Sequence, residues 1–192
     1  MKLVAGLGNP GRKYTATRHN AGFWWVERLA EITRTELRTE ARFQGRVGRL
    51  VPPHGSAWLL LPETFMNHSG RAVAALASFY RIAPEEILVV HDELDLPPGT
   101  AKLKKGGGAG GHNGVTDVAA QLGTKEFWRL RIGIGHPGVR DEVIDYVLCS
   151  PRHEERTAIW ESIERSLELW SLVAQRDMES AMQKLHTKGP SA

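Results

Sequence analysis

The segment KLVAGLGNPG, residues 2–11, carries the local signals that decide the fold. Residues 2–7 are apolar enough for a β-strand, and the turn formers Gly8-Asn9-Pro10-Gly11 end that strand. Residues 21–37 follow, with apolar side chains at roughly helical spacing. A strand, a turn and a helix in this order form the repeating unit of α/β domains.

The same alternation of strands and helices continues through the first 150 residues. The β-branched run Ile87–Val90 is typical of a strand buried between helices. Further strands are predicted at 43–50 and 57–61, which form a hairpin around 52–55, and at 100–104 and 130–134. Further helices are predicted at 69–81 and 113–122, and Asn67 or His68 is the predicted cap of the first of them. We therefore predict an α/β fold, a single domain with a mixed twisted sheet flanked by helices.

The C-terminal third has a different pattern. From residue 154 to residue 185, apolar side chains recur at spacings of three and four, which predicts a long amphipathic helix or a broken pair of helices. A chain of 192 residues fits one domain comfortably. We expect that domain to span residues 1–186, with residues 187–192 as a flexible tail.

Composition narrows the class of protein. Hydrophobic residues make up 41% and charged residues 24%, which is usual for a globular protein and argues against disorder. The single cysteine, Cys149, rules out an internal disulfide and a zinc site built on several thiols, so we expect a reducing compartment. No apolar stretch approaches the ~20 residues of a membrane span, and the N-terminus shows no signal region. The sequence predicts a cytoplasmic protein that does not enter a membrane.

The charged residues are unevenly distributed. The net charge is only +3, from 25 basic and 22 acidic residues. However, residues 1–50 contain 10 basic and 4 acidic residues, residues 51–99 contain 2 and 6, and residues 100–140 contain 7 and 2. Two basic regions around an acidic one favour an anionic partner, although a solvated basic face without a partner explains the same counts.

Polar residues that follow predicted strands should gather at one edge of the sheet, where α/β sites form. Residues that meet this description are Asn9, His19, Asn67, Asp92 and Asn113. His19 is the candidate general base, because imidazole has a pKa near ~6.5, and Asp92 could orient it. In the simpler interpretation, His19 is a surface or capping residue and Asp92 is a turn former.

No activated side-chain nucleophile is visible. No serine lies in a nucleophile-elbow pattern, and Cys149 is expected at the end of a helical segment, away from the loops that carry His19 and Asp92. The natural attacking group is therefore water.

The glycine-rich segment 106–111 lets backbone N–H groups approach a ligand, and a helix that starts near Asn113 favours an anion. The segment lacks the lysine of a P-loop, so a flexible surface loop remains the alternative. Basic residues flank it at Lys102, Lys104, Lys105, Arg129 and Arg131. Lysine and arginine on neighbouring strands make a phosphate clamp or a solvated strand face.

At these residues the chain resembles the bacterial peptidyl-tRNA hydrolase family, and the likeness covers nearly the whole chain. The stretches that carry it are GLGNPGRKYTATRHNAGF (6–23), LPETFMNHSG (61–70), VVHDELDLPPG (89–99), GGGAGGHNG (106–114) and RLRIGIGHPG (129–138). They stand in the order and at the spacing of the family. The resemblance implies hydrolysis of the ester that joins a peptide to the 3′ end of a tRNA, with no metal and no cofactor.

The resemblance also assigns roles to individual residues. His19 matches the catalytic histidine and Asp92 its orienting carboxylate. The positions that match substrate-binding residues of the cleft are Asn9, Tyr14, Met66, Asn67, His112 and Asn113. Lys104 and Arg131 match a clamp for the tRNA 5′ phosphate, and Lys102, Lys105 and Arg140 would add positive charge. The implied partner is peptidyl-tRNA, the implied state is a monomer, and segment 106–111 would be a mobile lid.

Two rival functions remain open. A non-catalytic RNA-binding module on the same fold is known among relatives of this family, although the His, Asp and Asn set is complete here. A metal-dependent peptidase would need at least three converging ligands, and the conspicuous polar cluster in the sequence consists of amides rather than carboxylates.

Overall fold

A computed structural model of the protein describes residues 1–187. Seven strands form one sheet in the order β2-β3-β4-β1-β5-β7-β6. Their bounds are β1 Leu3–Gly6, β2 Arg38–Glu40, β3 Gly45–Arg49, β4 Trp58–Pro62, β5 Ile87–Glu93, β6 Ala101–Lys105 and β7 Trp128–Gly133. β1 runs parallel to β4 and β5, and β5 runs parallel to β7. The pairs β2–β3, β3–β4 and β6–β7 are antiparallel, so the sheet is mixed as predicted.

Helices cover both faces of this sheet. Their bounds are α1 Ala21–Ile32, α2 Ser69–Phe79, α3 Asn113–Leu122, α4 Val143–Val147, α5 His153–Leu167, α6 Trp170–Ala174 and α7 Met178–Thr187. One apolar core joins the sheet to α1 and to the C-terminal helices α5–α7, and a second core joins the opposite face to α2 and α3. This arrangement confirms the predicted α/β class. Within residues 1–187, none of the helices has the length and apolar character that a bilayer crossing requires.

The first helix is shorter than predicted. The Thr33 hydroxyl donates to the carbonyl oxygen of Leu29 at 2.7 Å, and Arg34 takes a left-handed φ of 54°. The Thr35 N–H then donates to the carbonyl oxygen of Ala30 at 2.8 Å, which closes the helix end. α1 therefore ends at Ile32, and the residues that follow form the exposed edge strand β2, which the sequence pattern did not indicate.

The predicted cap of α2 is correct in position but not in its hydrogen bonding. His68 is the residue that precedes the helix, and its side chain makes no capping hydrogen bond. Instead, the Gly70 N–H donates to the carboxylate of Asp117 on α3, at 2.7 Å. A carboxylate at a helix N-terminus satisfies an orphan donor and matches the helix dipole.

The C-terminal third is divided more finely than predicted. Residues 153–187 form three helices, α5 to α7, rather than one helix or two. Arg176 has a φ of 66°, and this left-handed residue separates α6 from α7. The short helix α4, Val143–Val147, was predicted only as an unbounded helical segment that ends at Cys149. Thr187 is helical, so the predicted tail begins within α7, and residues 188–192 lie outside the described part of the chain.

The parallel strands place the functional edge of the sheet. The carboxyl ends of β1, β4 and β5 lie side by side because these three strands are adjacent and run in one direction. The turns that follow them, and the turn that enters α3, meet at this edge. Sites in α/β sheets usually form at this place.

Candidate active site

A cleft of about 390 Å³ opens at the carboxyl ends of β1, β4 and β5. Its lining includes all eight residues that the sequence analysis selected as catalytic or substrate-binding: Asn9, Tyr14, His19, Met66, Asn67, Asp92, His112 and Asn113. The chain segments that supply them are far apart in sequence. The predicted convergence of these side chains at one sheet edge is therefore present in the structure, while their individual roles stay predictions.

Asp92 and His19 form a hydrogen-bonded pair at the base of the cleft. Asp92 lies near the end of β5, where only 2% of its surface is exposed. Nδ1 of His19 lies 3.0 Å from both carboxylate oxygens of Asp92. A carboxylate only accepts hydrogen bonds, so Nδ1 of His19 donates, and in the neutral ring Nε2 keeps a lone pair. That nitrogen is able to take a proton from a group in the cleft.

His112 is the second histidine on the same carboxylate. Its Nε2 lies 2.9 Å from Oδ1 of Asp92, and its Nδ1 accepts the N–H of Val115 at 3.3 Å. These two contacts fix the tautomer with the proton on Nε2. His112 thereby caps α3 and tethers Asp92, a function that the predicted substrate contact did not include.

The two charges of the pair stabilise each other. Burial raises the pKa of Asp92, but the neighbouring imidazoles of His19 and His112 and the hydrogen bonds that they donate lower it by more, so that the pKa lies well below its ordinary value. Burial lowers the pKa of His19, but the charge of Asp92 and its hydrogen bond outweigh burial, and the pKa lies above 6.5. Asp92 is therefore ionised at neutral pH, and His19 holds a proton more strongly than an unperturbed imidazole does.

A third histidine, His91, lies behind the cleft and was not selected from the sequence. It is fully buried, and its Nδ1 donates to the backbone carbonyl oxygen of Asp92 at 2.6 Å. Burial keeps the pKa of His91 well below 6.5, so the ring is neutral. This contact fixes the backbone that carries the central carboxylate.

The asparagines differ in how they are held. Oδ1 of Asn9 accepts the N–H of Met66 at 2.8 Å, and the backbone of Asn9 is bonded on both sides by the buried amide of Asn20. Asn67 and Asn113 are exposed to the cleft. Asn20 was not selected from the sequence. It directly follows His19 and precedes α1, and its hydrogen bonds to Asn9 connect this turn to the turn after β1.

One wall of the cleft is apolar and was also missed. Val143, Ile144, Val147 and Leu148 line it, and the first three belong to α4. Ile144 is 70% exposed and Phe65, on the opposite side, is 58% exposed. Five residues are too few to show helical periodicity, so no sequence signal pointed to this wall.

The basic strand pair, defined as Lys102 and Lys104 of β6 with Arg129 and Arg131 of β7, lies beside the cleft. The strand register places Lys102 opposite Arg131 and Lys104 opposite Arg129. Because strand side chains alternate, these four share one face as predicted. The same alternation turns Lys105 to the other face, which separates it from the predicted phosphate clamp.

The two arginines of this pair are already engaged. Nε of Arg131 donates to the carboxylate of Glu93 at 2.8 Å, and Glu93 also lines the cleft. Arg129 is 2% exposed and donates to the carbonyl oxygens of Gly106 and Gly108. Arg129 therefore fixes the backbone of the glycine-rich segment at Gly106 and Gly108. The lid motion of this segment stays a prediction.

Cys149 lies closer to the cleft than predicted. The N–H of Arg18, which precedes His19, donates to the carbonyl oxygen of Cys149 at 3.1 Å. The expectation that Cys149 lies away from these loops was wrong, because the turn between α4 and α5 packs against the turn that carries His19. Among the described residues, the cleft lining includes the neighbouring Leu148 but not Cys149.

One group of potential metal ligands occurs within residues 1–187. Ligand atoms of His19, Asp92 and His112 lie within 4.8 Å of one another. The same atoms form the hydrogen bonds described above, and both nitrogens of His112 are engaged. An ion would have to replace these hydrogen bonds, and the arrangement fits a proton-transfer site without that change.

Comparison with known proteins identifies the family. The sequence matches the family profile described as peptidyl-tRNA hydrolase over residues 3–192. The peptidyl-tRNA hydrolase of Nitrosospira multiformis is 58% identical over 191 residues, covering 100% of both chains, and that of Thiobacillus denitrificans is 58% identical over 190 residues, covering 99% of this chain and 92% of its relative. The crystal structure of the enzyme from Acinetobacter baumannii superimposes with a TM-score of 0.96 at 43% identity, covering 100% of this chain and 97% of that one. With the fold, the cleft and these similarities in agreement, the chain belongs to the peptidyl-tRNA hydrolase family.

Proposed function

We propose that this protein hydrolyses the ester between a peptide, or an N-blocked aminoacyl group, and the 3′ end of tRNA, so that the tRNA is released for reuse. The observation that carries the proposal is the pairing of His19 with the buried Asp92, which leaves Nε2 of His19 available beside a cleft of the size of a small-molecule site. Membership of the family supports the substrate.

In the proposed reaction, neutral His19 takes a proton from water through Nε2 while the water oxygen attacks the ester carbonyl. Asp92 stabilises the imidazolium that forms. The tetrahedral intermediate then collapses, the bond to the 3′ oxygen breaks, and His19 returns the proton to that oxygen. Side-chain amides of the cleft, such as those of Asn9 and Asn113, stabilise the negative charge on the carbonyl oxygen.

The tRNA is held outside the reacting centre. Lys104 and Arg131 bind the 5′ phosphate, with Lys102 on the same face of the strand adding positive charge. Nε of Arg131 is bonded to Glu93, which orients the guanidinium and leaves its two terminal nitrogens for phosphate oxygens. A contact to phosphate positions the RNA without reading its sequence. A tRNA substrate supports action in the cytoplasm, and the family resemblance supports action as a monomer.

The rival function is binding of RNA without cleavage. The intact His19, Asp92 and His112 hydrogen-bond network argues against it, since a binding module gains nothing from a buried carboxylate that two histidines must stabilise.

The deciding experiment is release of acetylated amino acid from a charged elongator tRNA by wild type and His19→Ala, each with and without EDTA. We expect cleavage that resists EDTA and disappears in the variant. Binding of the tRNA without cleavage by wild type would establish the RNA-binding module instead. Cleavage that EDTA abolishes would assign a metal to the His19, Asp92 and His112 group.

A further inference from the structure

Arg18 has an unusual position for a charged residue, since only 5% of its surface is exposed. Its Nη1 donates to the carbonyl oxygens of Tyr146, Cys149 and Ser150 at 3.1–3.2 Å, and its Nη2 donates to the carboxylate of Glu155 at 2.7 Å. The guanidinium also stacks on the ring of Tyr146, 4.0 Å from its centre. One side chain thus joins the end of α4, the following turn and the start of α5.

One of the carbonyl groups that Arg18 binds, that of Tyr146, lies in the last turn of α4, and the other two lie in the turn that follows the helix. The last carbonyls of α4 have no partner within the helix, and a cation there also matches the negative end of the dipole. A helix of five residues has little stability of its own, because nucleation is costly. α4 therefore depends on outside contacts such as Arg18 for its position.

The same backbone turn that carries Arg18 also carries His19. Residues 18–20 form one tight turn in which Arg18 reaches α4 while His19 reaches Asp92. α4 supplies Val143, Ile144 and Val147 to the apolar wall of the cleft. The distance between the general base and the apolar wall is therefore set within one rigid segment.

We infer that Arg18 is a positioning residue that holds the apolar α4 wall against the catalytic turn and so makes hydrolysis depend on the side chain of the esterified amino acid. The inference rests on the proposed function, because it takes this amino acid to lie between His19 and the wall. An apolar substrate side chain that packs against this wall loses contact with water, which makes binding of the substrate more favourable. A glycyl substrate has no side chain to make that contact.

The test measures kcat/KM for N-acetyl-leucyl and N-acetyl-glycyl esters on one tRNA, with wild type, Arg18→Gln and Arg18→Lys. The quantity of interest is the leucyl-to-glycyl ratio, in which general losses of folded enzyme cancel. We expect the ratio to fall about tenfold in Arg18→Gln, mainly through KM for the leucyl substrate, since a few apolar contacts change discrimination by about this factor. Arg18→Lys should recover part of the ratio, because an ammonium group donates to carbonyls but does not stack on Tyr146 in the same way.

Arg28→Gln is the matched control. Arg28 also binds a carboxylate of α5, Glu164 at 2.8 Å, but it is partly exposed and is not bonded to α4. Its loss should leave the ratio unchanged. If Arg18→Gln does not fold, Glu155→Gln keeps the shape of the Arg18 partner without its charge and should lower the ratio in the same direction.

The outcomes separate the inference from the function on which it rests. If leucyl and glycyl rates fall equally, or only the melting temperature falls, then Arg18 is merely structural and the inference is overturned. If the pH dependence of kcat shifts while the ratio stays constant, Arg18 acts on His19 instead of on the wall, which also overturns it. Failure of wild type to cleave either ester would contradict the proposed function itself.

Discussion

The catalytic cluster, meaning His19, Asp92 and His112, differs from the basic strand pair in how its charges are held. In the cluster, the carboxylate is almost fully buried and both its histidines are oriented by hydrogen bonds. In the strand pair, Lys102 and Lys104 are exposed to solvent. Buried groups in fixed positions stabilise charge that develops during a reaction. Exposed cations attract phosphate instead, and salt screens this electrostatic attraction. We therefore expect the cluster to determine the rate of hydrolysis and the strand pair to determine the affinity for tRNA.

The energetic difference follows from solvation. A buried carboxylate is costly unless hydrogen bonds replace its water, and Asp92 obtains these from two histidines. Removing one partner leaves part of a buried charge unpaired. An exposed lysine is hydrated with or without its partner, so changes in the strand pair should have smaller effects.

The largest expected effect is that of His19→Ala on rate. Loss of the general base should lower the single-turnover rate about 10²–10⁴-fold. The dissociation constant for tRNA should stay nearly constant, because His19 lies in the cleft and not on the basic strand pair. Quench-flow kinetics with saturating enzyme and a filter-binding assay provide the two numbers. Equal losses in rate and affinity would contradict the expected separation of roles between the cluster and the strand pair.

His112→Asn tests the second partner of Asp92 with little disturbance of α3. Asparagine is a good N-cap, so the helix start keeps an acceptor for the Val115 N–H. The variant loses one hydrogen bond to a charged group, worth about 1.5 kcal/mol, which corresponds to about a tenfold lower rate. Thermal unfolding is measured in parallel, and the melting temperature should fall by only a few degrees for the loss of this one hydrogen bond. A loss of stability without a loss of rate would show that His112 acts only as a cap.

Lys104→Ala should reverse the pattern seen with His19→Ala. The affinity for tRNA should fall several-fold, with a salt slope smaller by about 1, because one phosphate contact is lost. The rate at saturating substrate should stay close to that of wild type. Lys2→Ala is the control, since Lys2 is an exposed lysine paired with Glu86 at the amino end of β1, away from the cleft. An effect of Lys104→Ala that does not vary with salt would exclude the clamp.

Glu93→Gln should produce the smallest change. The amide oxygen keeps a hydrogen bond to Nε of Arg131, but the negative charge that competes with phosphate is gone. We expect tRNA to bind about threefold more tightly, because the phosphate no longer competes with a carboxylate for Arg131, an effect of about 0.7 kcal/mol. Glu93→Ala, which loses the orientation of Arg131 as well, should bind less tightly than Glu93→Gln. The same affinity in both variants would show that orientation of Arg131 does not matter.

Local signals predicted six of the seven strands within residues 1–187, the helix at 113–122 and the polar cleft residues, because each depends on a few adjacent side chains or on a motif such as TRHN. The same signals did not predict the bounds of α4 or its place in the cleft wall, since a helix of five residues has no visible period and its position depends on Arg18. The hydrogen bond from Arg18 to the carbonyl oxygen of Tyr146 joins residues that are 128 positions apart in the sequence. Similarly, the tether from His112 to Asp92 and the pair of Glu93 with Arg131 form only when the sheet is assembled.

The most direct test of the central claim is the pH dependence of kcat/KM for wild type and Asp92→Asn, after subtraction of spontaneous hydrolysis. Neutral His19 is the active form, so the rate should rise with pH through the pKa of His19, which in wild type lies above 6.5. Asp92→Asn removes the charge that raises this pKa and leaves the burial that lowers it, so the rise should move to lower pH while the plateau falls. A rise at the same pH in both proteins, or a rate that decreases as His19 loses its proton, would contradict the assignment of His19 as a base oriented by Asp92.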